Sequence, residues 1–171
     1  MASRRIHVGS TARSRGHLVI GSVDEAAVRA ALGEVPDPEI PIVSVVDLGM
    51  IEAVDVTERS IRVELLPTFV GCPAVDLIRD AVAARLHSFG RPVEVDISFR
   101  VPWTSDRITR AGRDKLRRSG FAPPAAEAAD VRCPYCASDR VALDNLFGPT
   151  QCRSLYYCRA CRQPFEQFKA V

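Results

Sequence analysis

At 171 residues the chain has room for one domain of roughly 100 residues with its own core and a smaller companion. Apolar residues make up 47% and charged residues 26%, an ordinary soluble composition, and no run approaches the roughly 18 to 20 apolar residues of a membrane span. The net charge of +2 is balanced along the chain beyond residue 22, so the basic footprint that a phosphate backbone requires is missing and nucleic acid is not an expected partner.

Residues 1–22 contain Arg4, Arg5, Arg13 and Arg15 and no acid. Their longest apolar run, Leu18-Val19-Ile20, is too short for a signal-peptide core, so a flexible basic arm on a cytoplasmic protein is expected. Ser22 followed by Glu25 reads as a capping box for a helix whose apolar stripe is Val23, Ala26, Ala27, Ala30 and Ala31, ending near Gly33. The prolines of Pro36-Asp37-Pro38-Glu39-Ile40-Pro41 forbid regular helix and stiffen a loop. Met50 to Thr57 and Ile61 to Phe69 read as a hairpin, the second strand alternating Ile61, Val63 and Leu65 with Arg62 and Glu64. From Cys72 to His87, Val75, Ile78, Val82 and Leu86 share one helix face, with Pro73 at the first helical position. Val93, Val95, Ile97 and Phe99 alternate with polar residues as a third strand, and Ser105 or Asp106 is expected to cap a basic helix ending at Gly120.

The segment 121–129 has linker composition. Beyond it, Cys133-Pro134-Tyr135-Cys136 and Cys158-Arg159-Ala160-Cys161 place two residues between paired cysteines. One tight turn then aims two thiolates at one ion, and two such turns supply four soft ligands. The pattern predicts a zinc ribbon over 130–171, with two disulfides or an iron–sulfur cluster on the same thiolates as alternatives. Ala137 and Arg162 follow the pairs where such turns favour glycine, so backbone strain is expected there. The expected domains are therefore the arm 1–22, a first domain 23–120, the linker 121–129 and the ribbon 130–171. The fold class is α+β, a small three-stranded sheet packed by helices, followed by the ribbon.

Chemistry in the first domain is expected at Thr68-Phe69-Val70-Gly71-Cys72-Pro73. A cysteine at a helix start meets unpaired N–H groups that favour thiolate over thiol, which would make Cys72 a nucleophile or metal ligand; a small residue packed beneath a helix is the alternative. Asp37 and Glu39 on their stiff loop are candidate hard ligands or solvated acids. His7, His17 and His87 offer no base.

Asp37-Pro38-Glu39-Ile40-Pro41, Val46-Asp47-Leu48-Gly49, Gly71-Cys72-Pro73 and Val101-Pro102-Trp103-Thr104-Ser105-Asp106 occur in the order found in SufT-like iron–sulfur assembly factors. With Phe147-Gly148-Pro149-Thr150-Gln151-Cys152 and the segment from Cys158 to Lys169, the chain resembles the PaaD family, small components of bacterial phenylacetyl-CoA epoxidase systems. The resemblance implies an accessory or maturation role in aerobic phenylacetate degradation. The oxygenase and reductase subunits would be its partners, and a homodimer stays open. Catalysis by this chain itself is not expected, since it has neither a Glu-x-x-His pair nor a dinucleotide-binding glycine fingerprint. The resemblance further implies that Cys72, with Asp37, Glu39 and Thr68 as neighbours, holds iron or an iron–sulfur cluster transiently, while zinc occupies Cys133, Cys136, Cys158 and Cys161. A structural subunit of the epoxidase, or thiol redox chemistry pairing Cys72 with Cys152, are the alternative functions.

Overall fold

The computed structural model describes residues 23–170; the expected arm over 1–22, with His7 and His17, lies outside the described residues. Helix α1 spans Glu25–Leu32 and buries Val28, Ala31 and Leu32. Its N-cap is Asp24, whose side chain accepts the Ala27 N–H at 2.8 Å. The predicted start, at Ser22, is two residues too early, because a carboxylate nearer the first turn both caps the free N–H groups and suits the positive helix end.

Strands β1 (Ile51–Val56) and β2 (Ile61–Leu65) form the expected antiparallel hairpin, and helix α2 (Val75–Leu86) crosses to β3 (Val93–Ile97), which lies parallel to β2. The sheet order is β1-β2-β3. Ile61, Val63 and Leu65 are buried in one core with Val28 and Leu32 of α1 and Ile78, Val82 and Leu86 of α2. The alternating residues form an outer charged face, where Arg62 meets Asp96 at 2.8 Å and Arg100 meets Glu64 at 2.6 Å. The period-two pattern therefore selected the buried face correctly.

Helix α3 (Arg110–Arg118) begins later than the sequence indicated. Ser105–Arg107 make a separate 3-10 turn, Ile108 is extended and buried, and Thr109 is the cap, accepting the Gly112 N–H at 2.9 Å. The motifs around this helix are joints. Trp103 donates its indole N–H to the Leu48 carbonyl at 2.8 Å, and Lys115 reaches the Asp47 carboxylate at 2.6 Å. Burial alone would raise the Asp47 carboxyl, but hydrogen bonds from Lys115 and from the Ser44 backbone and hydroxyl outweigh it and hold the group below its ordinary value. Gly49 has φ +64°, and a Cβ there would collide with the Arg107 backbone carbonyl, so this joint needs glycine.

The C-terminal part is a second sheet of β4 (Phe121–Ala122), β5 (Val141–Asn145), β6 (Arg153–Cys158) and β7 (Pro164–Phe168), in the order β4-β7-β6-β5. β5, β6 and β7 form the antiparallel ribbon, and β4 joins parallel to β7 directly after α3. Ala122, Val131, Cys133, Tyr156, Cys158 and Phe165 make its small core. Phe168 instead enters the core of the first domain, its ring 6.0 Å from that of Trp103. Two modules thus share one apolar joint.

Candidate metal centres

The ribbon's two turns bring Cys133, Cys136, Cys158 and Cys161 together, with all four sulfurs within 4.8 Å of one another. Cys133 and Cys161 are separated by 3.6 Å, Cys136 and Cys158 by 3.7 Å. Sulfurs bound tetrahedrally at about 2.3 Å from zinc lie roughly 3.8 Å apart, so the donor set fits that ion without rearrangement. Each turn closes through backbone bonds, Ala137 N–H to the Cys133 carbonyl at 2.8 Å and Cys158 N–H to the Gln163 carbonyl at 2.9 Å. Ala137 and Arg162 both have φ +59°, as their positions after the pairs suggested. N–H groups from Cys161 and Ala160 draw the Cys158 thiol down to about 7, whereas burial and the neighbouring sulfurs push Cys161 up to about 12. Four thiols this close ionise together only around a cation.

A second cluster lies where the ribbon meets the first domain. Asp37 Oδ1 accepts the N–H groups of Glu39 (2.9 Å) and Ile40 (2.8 Å), locking the proline-rich loop so that Glu39 faces the ribbon. There the Cys152 thiol is 4.0 Å from Glu39 Oε2, and Arg153 stands 3.8 Å from the same carboxylate. Glu39, Phe69, Cys72, Pro73, Thr150 and Cys152 line one cavity of about 10 Å³. That is room for roughly one water-sized sphere.

A family profile described as the PaaD zinc beta ribbon domain matches residues 120–169, and one described as an iron-sulfur cluster assembly protein matches residues 25–98. The chain is 38% identical over 149 residues to a component of the 1,2-phenylacetyl-CoA epoxidase of Escherichia coli, covering 83% of this chain and 90% of that protein. The chain belongs to the PaaD family of phenylacetyl-CoA epoxidase components. Its first domain is also 34% identical over 92 residues to the Fe-S protein maturation auxiliary factor YitW of Bacillus subtilis, covering 52% of this chain and 89% of that protein. A crystal structure of a domain of unknown function from Bacillus anthracis superposes with a TM-score of 0.50 at 28% identity, covering 54% of this chain and 90% of that one.

Within this PaaD-family chain, the state of Cys72 departs from the sequence expectation. α2 starts at Val75, so Cys72 precedes the first turn rather than opening it. The N–H groups of Ala74 and Val75 do reach it and pull its thiol down, but burial and the charges of Glu39 and Asp37 push it further up. Cys72 is therefore a protonated thiol at neutral pH rather than an activated thiolate. Cys152 is raised for the same leading reason, burial, with Glu39 and Asp37 adding to it. Burial also raises Asp37 against its two backbone hydrogen bonds. Two thiols facing two carboxylates ionise readily only when a cation arrives.

Asp37, Glu39, Cys72 and Cys152 thus converge. Thr68 does not join them: it is buried in a neighbouring apolar cavity of about 280 Å³ with Phe99, Val101 and Trp103. Sequence reasoning passed over Arg153. It is 8% exposed and holds Glu166 at 2.7 Å, the Thr150 hydroxyl at 2.8 Å and Glu39 more loosely. In a chain whose basic residues are nearly all arginine, its only signal was its place beside Cys152. Among the described residues, no helix is long and apolar enough to cross a membrane.

Proposed function

We propose that this chain is an accessory maturation component of a multicomponent phenylacetyl-CoA epoxidase in aerobic phenylacetate breakdown. It assists insertion of iron or an iron–sulfur cluster into the oxygenase or reductase subunit and works in the cytoplasm, where reducing conditions keep its six cysteines free. The observation that carries this reading is the junction cavity, where Cys72 meets a carboxylate and a second thiol in a domain matched by an iron–sulfur assembly profile. In this division of labour the ribbon, holding zinc, is the permanent module, and Cys72, with Glu39 and Asp37 beside it, handles the cargo. Exchangeable cargo calls for few ligands, and a structural ion for four.

The test is made in cells growing on phenylacetate. Beside a Cys72→Ser chain, the oxygenase and reductase polypeptides should accumulate normally but be deficient in iron. Full metallation of both, with normal growth, would overturn the reading and leave Cys72 a packing residue. The shared cavity also supports thiol redox chemistry between Cys72 and Cys152. In that case a mixed disulfide with a client should be trappable on Cys72.

A further inference from the structure

The two thiols at the junction come from different modules, 80 residues apart by their numbering. We propose that Cys72 of the first domain, Cys152 of the ribbon and the Glu39 carboxylate form a site for a single borderline divalent cation such as iron(II), complete only when the ribbon is docked. The proposal rests on the maturation reading and gives it a nuclearity and a ligand set. Mixed sulfur and oxygen donors suit iron(II), cobalt(II) or zinc(II) better than calcium or magnesium. The cavity of about 10 Å³ admits one ion, whereas a cluster of several irons and sulfides would have to force the modules apart.

The surroundings orient these donors. The Thr150 hydroxyl lies 3.2 Å from the Cys152 sulfur and accepts from Arg153 at 2.8 Å, and Arg153 also faces Glu39. The Asp37 turn fixes the backbone that carries Glu39. Such outer partners set ligand direction at metal sites. Packing alone would be satisfied by two small apolar residues and would not bring a carboxylate to a thiol. The site is also loose. Cys152 and Glu39 stand 4.0 Å apart, where sulfur and oxygen on one tetrahedral ion would be about 3.6 Å apart, and among the described residues only the ribbon's four cysteines close within 4.8 Å. Three protein donors also leave a coordination position open to a client's ligand.

The experiment uses the full chain, anaerobic and with one zinc already in the ribbon, which cobalt(II) displaces poorly because zinc binds such sites more tightly. Cobalt(II) is then titrated and thiolate-to-cobalt charge-transfer absorption is read. One further cobalt per chain should bind. Cys72→Ser and Cys152→Ser should each roughly halve the absorption and weaken binding by about tenfold or more, since even an outer partner is worth about 10- to 100-fold. Glu39→Gln should weaken binding while sparing the absorption. Cys72→Ala and Cys152→Ala, which keep a small packed side chain, should repeat the serine results if the losses reflect lost ligands rather than misfolding. An effect of Cys72→Ser with none of Cys152→Ser would place any ion in the first domain alone, overturning this proposal while the maturation reading stands. No effect of either would remove the ion from the junction, and client iron content beside Cys72→Ser would then judge the maturation reading separately. Iron reconstitution that brings acid-labile sulfide in equal amount would also overturn the single-ion claim.

Discussion

The four ribbon cysteines and the pair at the junction use the same side chain in opposite settings. In the ribbon, sulfurs 3.6 and 3.7 Å apart are held by two short turns and their backbone hydrogen bonds, so the donor set is complete within one module. At the junction the sulfurs belong to two modules, their thiols are raised by burial and by nearby carboxylates, and a soft contact of 4.0 Å replaces tight packing. A closed set of thiolates makes an ion part of the fold, whereas an open mixed set makes it removable. Cysteine number and spacing within a module therefore separate structure from cargo handling in this chain.

The strongest way to break the comparison is to remove a ribbon ligand. Cys158→Ser should unfold the ribbon, since the metal contributes on the order of 10 kcal/mol to folding of such small units. From sequence alone the first domain would survive this loss. The shared core changes that expectation, because unfolding β7 withdraws Phe168 from Trp103 and exposes the first domain's apolar joint. Limited proteolysis and circular dichroism should show the C-terminal part digested and the first domain destabilised but still helical. A tail that keeps full protease resistance in the variant would show that the ion is not structural.

Phe168→Ala is gentler and asks whether the junction depends on docking. Removing a large aromatic side chain that is 3% exposed costs about 3 to 5 kcal/mol. The ribbon's own core and its four cysteines do not include Phe168, so its zinc content should be unchanged while thermal unfolding shifts down. Unfolding should also lose its single transition as the modules uncouple. An unaltered single transition at the wild-type temperature would mean that the two modules are joined elsewhere.

Local order was legible in the sequence where a short repeat or spacing dictated it. The period-two runs at Ile61 to Leu65 and Val93 to Ile97, and the paired cysteines, each carry their instruction within a few residues, and the three-stranded sheet and the ribbon followed. Boundaries slipped where two caps competed, as with Ser22 against Asp24 and Ser105 against Thr109. What stayed hidden was long-range. Glu39 and Cys152 are 113 residues apart, and no periodicity signals that the ribbon folds back to place them together. For the same reason the ionisation of Cys72 was misjudged. Its helix-start position argued for a thiolate, but burial and the two carboxylates that reverse the balance come from the tertiary fold. Thr68, four residues before Cys72, faces another cavity because the chain turns at Gly71, where φ is +84°.

The smallest expected effect sharpens the ribbon side of the comparison. Ala137 and Arg162 both hold the left-handed conformation, which costs an L-residue with a Cβ about 1 to 2 kcal/mol. Glycine removes that cost but adds about 0.4 to 1 kcal/mol of unfolded-chain entropy. Ala137→Gly and Arg162→Gly should therefore each stabilise the zinc-bound ribbon by about 0.5 to 1 kcal/mol. In a chain of this size that is a rise in melting temperature of about 1 to 4 °C. The gain should add in the double variant, because each turn is closed by its own backbone hydrogen bonds. Cobalt binding at the junction should be unmoved, since neither residue lines that cavity. Destabilisation by either glycine would mean that the side chain at that turn contributes more than its backbone strain removes, and the closed centre would then depend on contacts beyond its four sulfurs.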